Sequence, residues 1–220
     1  MSSNDLTVFG EVLFDHFPDG KRVLGGAPFN VAWHLQAFGQ RPFFISRVGD
    51  DDEGREIIAA MRAWGLTTDG VQRDAKRSTG RVGVVFESGE PAYDIVHPCA
   101  YDAIEVSSPV DGGWLYHGSL ATRDPVSCRA LDALTGDDRL TVFVDVNLRD
   151  PWWDKSTVLA QLQRADWVKL NQDELRRIGP TGLDDNAAIE ALVERYDLDG
   201  ALVTYGASGA VMLTRQDGFV

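Results

Sequence analysis

"GGAPFN" occupies Gly25 to Asn30 and leads directly into the apolar run "VAWHLQAFG". Two adjacent glycines before a helix mean a tight backbone turn or a close approach of something to the main chain. Pro28 suits the first turn of a helix. Val31, Leu35 and Phe38 recur at helical spacing, and Gly39 stands where the helix would stop. Upstream, "LTVFGEVLFD" reads as a first strand that enters a turn at Asp19-Gly20. Downstream, "RPFFISRVG" reads as a short buried strand. "DDDEGREIIAAMRAWG" reads as a second helix, with acids in its first turn and Gly65 as its stop.

The texture changes over 67–105. Short strand-like runs such as "RVGVVFE" and "AYDIVHP" alternate with Gly, Pro and Asp, and "ESGEPAY" has the character of a hairpin turn. This stretch is a candidate β-rich insertion. The flanking segments 1–66 and 106–220 form the candidate core. From "GGWLYHG" onward, short apolar strands alternate with helical patterns: "DPVSCRALDAL", "RLTVFVDV", "PWWDKSTVLAQLQRA", "DWVKL", "NQDELRRI", "NAAIEALVERYD", "GALVTYG" and "AVMLTR". That rhythm predicts βαβ units and a mostly parallel sheet covered by helices on both faces, an α/β fold.

Composition narrows the function. The chain has 220 residues, 44% hydrophobic and 25% charged, with a formal charge of −13. An acidic balance argues against nucleic acid as the main partner, since neutralising phosphates requires Lys and Arg. No apolar run approaches a membrane span, and "MSSNDLTVFGEVLFD" lacks the basic start and apolar core of a signal peptide. These features fit a cytoplasmic protein. Cys99 and Cys128 lie far apart without CxxC spacing; two free thiols are the simplest reading, and a single disulfide is the alternative. There is no P-loop, HExxH, paired CxxC or GxSxG. "GDDDEG", Gly49 to Gly54, is read as an acidic helix start in preference to a metal site. His34, inside the first helix, is read as a packing or surface residue.

In open α/β sheets, ligands bind beyond the carboxyl ends of the strands. Those ends carry Asp15, "HGS" (His117 to Ser119), "DVNLR" (Asp145 to Arg149), "KLNQDE" (Lys169 to Glu174) and "TYG" (Thr204 to Gly206). Each has a plain structural reading. Asn171 could cap the following helix, and Asp145 and Asn147 could be turn residues. Five polar strand ends together point to a ligand.

The block "GGAPFNVAWHLQAFGQRPFFISRVGDDDEG" resembles the first signature of the ribokinase-like (PfkB) family of carbohydrate kinases. "GEVLFD", "DVNLR", "KLNQDE" and "TYGASGA" resemble the family's other strand ends, and the combination is most similar to fructokinases. The resemblance implies a three-layer ribokinase-like fold, with 67–105 forming part of a small β-sheet lid and a few earlier residues contributing. It implies ATP and Mg²⁺ as cofactors and a small sugar as acceptor, fructose before 2-keto-3-deoxygluconate. Asp15 and Asn30 then bind sugar hydroxyls, and Gly25 and Gly26 admit the sugar to the backbone. Ser119 and Arg149 are further sugar contacts, Arg149 serving equally as a charge partner for phosphate. Lys169, Asn171, Glu174, Thr204 and Gly206 border the nucleotide and its phosphates, with Glu174 reaching Mg²⁺ through water. No nucleic-acid or membrane partner is implied, and a homodimer through the lid is. The family's Gly-Ala-Gly-Asp run, which supplies the general base and the anion hole, is not found before "TRQDGFV", so the base is expected beyond Val220 and the chain is read as a truncated kinase. A non-catalytic sugar-binding remnant is the alternative.

Overall fold

A computed structural model describes residues 5–87, 90–106, 110 and 112–220. Its frame is a sheet in the order β13-β12-β11-β10-β9-β8-β1-β4-β5. The central strands are β1 (Leu6–Phe9), β4 (Phe43–Gly49), β8 (Gly113–His117), β9 (Leu140–Asp145), β10 (Trp167–Asn171) and β11 (Gly200–Thr204). All pair in parallel. At one edge β12 (Ala210–Thr214) and β13 (Gly218–Phe219) are antiparallel additions. The α/β class expected from the alternating rhythm is the class observed.

Helix α1 (Ala27–Ala37) and helix α2 (Asp52–Trp64) cover one face at β1 and β4, burying Phe29, Ala32, Ile57 and Met61 against Val8, Phe44 and Val48. Helices α3 (Pro125–Thr135), α4 (Lys155–Leu162), α5 (Gln172–Ile178) and α6 (Asp185–Tyr196) cover the other, with Leu131, Leu162, Leu175 and Ile189 against Leu115, Val142, Val168 and Val203. The expectation of helices on both faces holds only in part. From β8 to β12 the side chains alternate between buried and half-open. Tyr116, Phe143, Trp167, Leu202 and Met212 lie on the half-open face, and Trp114 is exposed there.

Helix termini follow local chemistry. Asp51 caps α2 by accepting from the Gly54 amide at 2.8 Å, and the same carboxylate accepts the Thr79 amide and hydroxyl. Gly65 closes the helix in the left-handed region. "GDDDEG" is therefore a helix start, as its acids suggest.

The first strand departs from its reading as one element. It breaks after Phe9: β1 stays in the large sheet, while β2 (Leu13–His16) joins a second, four-stranded sheet in the order β3-β2-β6-β7. The others are β3 (Arg22–Gly25), β6 (Gly80–Glu87) and β7 (Glu90–Ile95). The break sits at Gly10, whose φ is 149°. Its missing side chain leaves room for the Pro28 ring, which a Cβ would meet at 2.4 Å. Not every element within 67–105 belongs to the small sheet. Strand β5 (Val71–Asp74) pairs with β4 at the edge of the large sheet, and the short 3-10 turn Ala100–Ala103 buries Tyr101 in the main core. Long-range pairing of β2 with β6 decides this grouping, and no local pattern announces it. Ser88 and Gly89, at the expected hairpin turn, lie outside the described residues; β6 and β7 on either side pair antiparallel.

A buried carboxylate fastens the small sheet to the core. Glu53 on α2 meets His16 Nε2 at 2.9 Å, Arg22 Nη1 at 3.2 Å and Arg81 Nε at 2.6 Å, one from each of three strands of the small sheet.

The glycine pair has a structural explanation. Gly26 has φ 107°, and a Cβ there would lie 2.6 Å from the Glu11 carbonyl oxygen. Gly26→Ala should cost about 2 kcal/mol or more, from strain plus backbone collision. Gly20→Ala, at φ 83° with open space around it, should cost roughly 1 kcal/mol. Thermal denaturation of both variants checks the difference.

Candidate active site

The carboxyl ends of the central strands and the underside of the small sheet enclose a cleft of about 290 Å³. Glu11, Asp15, Gly26, Asn30, Asn147 and Arg149 bring polar groups to it, and Leu13, Val82, Ile95 and Leu120 supply apolar wall. The polar groups come from four elements: the β1–β2 turn, strand β2, the start of α1, and the loop after β9.

Of the six residues expected to contact substrate, Asp15, Gly26, Asn30 and Arg149 come together in this cleft. Gly25 stands beside it; a Cβ there would lie 3.1 Å from Asp15 Oδ2, so this glycine makes room for the carboxylate. At Gly26 the main space expected for a ligand is taken by the chain itself, at the Glu11 carbonyl. Ser119 is not brought into the cleft. It is buried, its Oγ lies 3.4 Å from the Asn147 carbonyl, and it lines a neighbouring cleft of about 280 Å³ with His97, Arg123 and Trp152. His117 is fully buried and donates from Nδ1 to the Gly118 carbonyl, 3.0 Å away; burial pushes its pKa down to about 4, so it is neutral at pH 7.

The electrostatics of the cleft are those of two carboxyl groups facing one guanidinium. Burial raises the Asp15 carboxyl above its ordinary range, opposed by the charges of Arg149 and His16. Burial lifts Glu11 further, to about 7; its own amide, the Ala27 amide and Arg149 pull it back, and Asp145 pushes it up. Glu11 was not singled out in the sequence. The signal was an acid flanked by apolar residues in "GEVLF". Asn147, read as a turn residue, has φ 39° and also faces the cleft. Tyr93 from the small sheet is a further lining residue without a sequence signal.

The residues expected at the nucleotide lie further along the edge. Asn171 and Thr204 are partners in the β10–β11 register. Asn171 accepts from the Glu174 amide at 2.9 Å, while Glu174 accepts from the Asn171 amide at 2.8 Å, a reciprocal cap on α5. The other Glu174 oxygen accepts the Leu148 amide at 2.7 Å. The side chain thus ties the loop after β9 to α5. Lys169 is committed to Asp145, with Nζ 2.9 Å from Oδ1, and Tyr116 donates to the same carboxylate at 2.9 Å. Gly206 has φ 59° and open space around it.

Residues 4–220 match the pfkB family carbohydrate kinase profile. The chain belongs to this family of carbohydrate kinases. It is 32% identical to the fructokinase of Escherichia coli over 225 residues, covering 94% of this chain and 73% of that protein. The Klebsiella pneumoniae fructokinase is 33% identical over 220 residues, with 92% and 71% covered. Among solved structures, apo fructokinase from Vibrio cholerae O395 superposes with a TM-score of 0.87 at 26% identity, covering 97% of this chain and 78% of that one. The same enzyme in its fructose, ADP and calcium ion bound form gives 0.85 at 26% identity, covering 96% and 74%. The family assignment makes the reaction a phosphoryl transfer to a sugar and the two-sheet cleft the natural place to look for the acceptor. No helix among the described residues is long and apolar enough to cross a membrane.

Both Glu174 oxygens are held by main-chain N–H groups. Glu174→Gln turns an amide NH₂ toward one of those donors and should lower stability by about 1–3 kcal/mol. Chemical denaturation of the ligand-free protein reads this directly.

Proposed function

We propose that this kinase phosphorylates fructose, with ATP as donor and Mg²⁺ as its metal. The observation that carries the reading is the convergence of Asp15, Asn30 and Arg149 in one cleft roofed by the small sheet. Its volume lies near the lower end of the roughly 300–1,000 Å³ usual for small-molecule sites, as suits a single sugar. The relatives named fructokinase, and the Vibrio cholerae enzyme with bound fructose, support the choice of sugar.

The residues divide by chemistry. The Asp15 carboxylate accepts from sugar hydroxyls, and the Asn30 amide both donates and accepts. Arg149 donates to sugar oxygens and balances the two carboxyl groups. That balance favours a neutral polyol over a sugar acid, because a third carboxylate would face Glu11 and Asp15. Val82 and Ile95 on the small sheet close an apolar wall over the sugar and keep water from the transferred group.

ATP fits the edge beyond β10 and β11. Thr204 and the open backbone at Gly206 border the nucleotide, and Asn171 faces its phosphates. Lys169 takes part by holding Asp145. With both oxygens occupied, Glu174 reaches the metal through water. Mg²⁺ supplies neutralisation of charge on the phosphates. A homodimer through the small sheet and a cytoplasmic location belong to the same reading.

Calorimetric titration tests it. Fructose should bind more tightly than 2-keto-3-deoxygluconate, and Asp15→Asn should weaken fructose at least tenfold, for a loss of about 1.5–3 kcal/mol from a hydrogen bond to a charged group. Tighter binding of the sugar acid would contradict the assignment.

A further inference from the structure

Glu11 is the polar group of the cleft that is buried yet keeps a side-chain oxygen without a partner. It sits in the turn between β1 and β2, is 2% exposed, and its Oε2 has no hydrogen-bond partner among the described residues. A buried acceptor without a donor is costly, and in a ligand site the missing donor is naturally the ligand. The Glu11 and Ala27 amides act on the carboxylate, but no neighbouring donor reaches Oε2. Tyr116 gives its hydroxyl hydrogen to Asp145, and the Lys169 ammonium is held by the same carboxylate. Arg149 acts on Glu11 through its charge, and Asp15 across the cleft is itself an acceptor. The Tyr101 hydroxyl behind the cleft is buried and also unpartnered.

We infer that Glu11 is a sugar-binding residue, its Oε2 accepting a hydrogen bond from a hydroxyl of the sugar that the cleft receives. The inference rests on the proposed sugar site and adds a residue to it. It carries a consequence for protons. Burial holds the free carboxyl near 7, so part of the population is protonated at neutral pH. A hydroxyl that donates to Oε2 favours the carboxylate, so sugar binding expels that proton into solvent and tightens as pH rises. The other groups that face Glu11 are accounted for. Asp15 is raised from a lower starting value, Asp145 is paired with Lys169, and burial drives Tyr101 and Tyr116 upward, away from neutrality.

The test is calorimetric titration of the full chain with fructose in two buffers of different ionisation heat. At pH 7 about half a proton should be released per sugar bound, and affinity should rise roughly fivefold to tenfold between about pH 6 and pH 8. Glu11→Gln, verified as folded by circular dichroism, should bind more weakly, release no proton and show a flat profile. Should that variant fail to fold, the wild-type profile decides: a rise centred near 7 is expected, and a rise confined below about pH 5 overturns the inference. Fructose saturation without proton release overturns it and leaves the sugar site standing; water shared with Tyr101 would then meet Oε2. Release that survives Glu11→Gln assigns the proton to Asp15 and overturns it equally. Failure of the wild type to saturate overturns the sugar site and the role of Glu11 together.

Discussion

The fold turns on one backbone joint. The turn Gly10–Glu11 and the start of α1 at Gly26–Pro28 interlock because neither glycine carries a side chain. A Cβ on Gly10 would enter the Pro28 ring, and one on Gly26 would strike the Glu11 carbonyl. This contact sets the start of α1 against the end of β1. It also redirects the chain from the large sheet into the small one within three residues, Gly10 to Val12. The polar groups of the cleft depend on it. Glu11 lies in the joint, Asp15 follows on the redirected strand, and Asn30 projects from the helix the joint anchors. The glycines thus build the cleft by letting two pieces of main chain touch.

Charge is then distributed by burial and pairing. Asp145 is paired with Lys169 and accepts from Tyr116, Glu174 accepts from two amides, and Glu53 meets Arg22, Arg81 and His16 of the small sheet. These acids are structural ties between elements. Glu11 and Asp15 are different: burial raises both, and a single guanidinium faces them. Acids that are buried but incompletely paired mark places where a partner arrives from outside the fold. In the proposed sugar site, hydroxyl groups are that partner.

Much of this was legible in the sequence, for physical reasons that differ by element. Helices α1 and α2 announced themselves through Pro28, Gly39, Gly65 and apolar spacing, all local signals. The strand ends could be placed because a parallel sheet puts its ligands on one edge, and Asp15 and Arg149 do converge there, joined by Asn30 of α1. The division of "LTVFGEVLFD" between two sheets was hidden, because it depends on pairing of β2 with β6 far along the chain. Transfer of β5 to the large sheet was hidden for the same reason. Ser119 looked equivalent to the other strand ends, yet its hydroxyl turns toward the Asn147 carbonyl. The capping and phosphate readings of Asn171 share one local pattern, and the cap is what the side chains form. The burial of Glu11 results from the joint and leaves no periodic trace in the sequence.

The central claim is that the sugar is held at this joint, between the two sheets. Hydrogen–deuterium exchange with and without fructose tests it most directly, since it maps protection without altering a residue. The account predicts slowed exchange at residues 10–15, 26–31, 82–84 and 147–149, with the neighbouring cleft around Arg123 and Trp152 unchanged. Protection centred on that second cleft, with the joint unaffected, would contradict it.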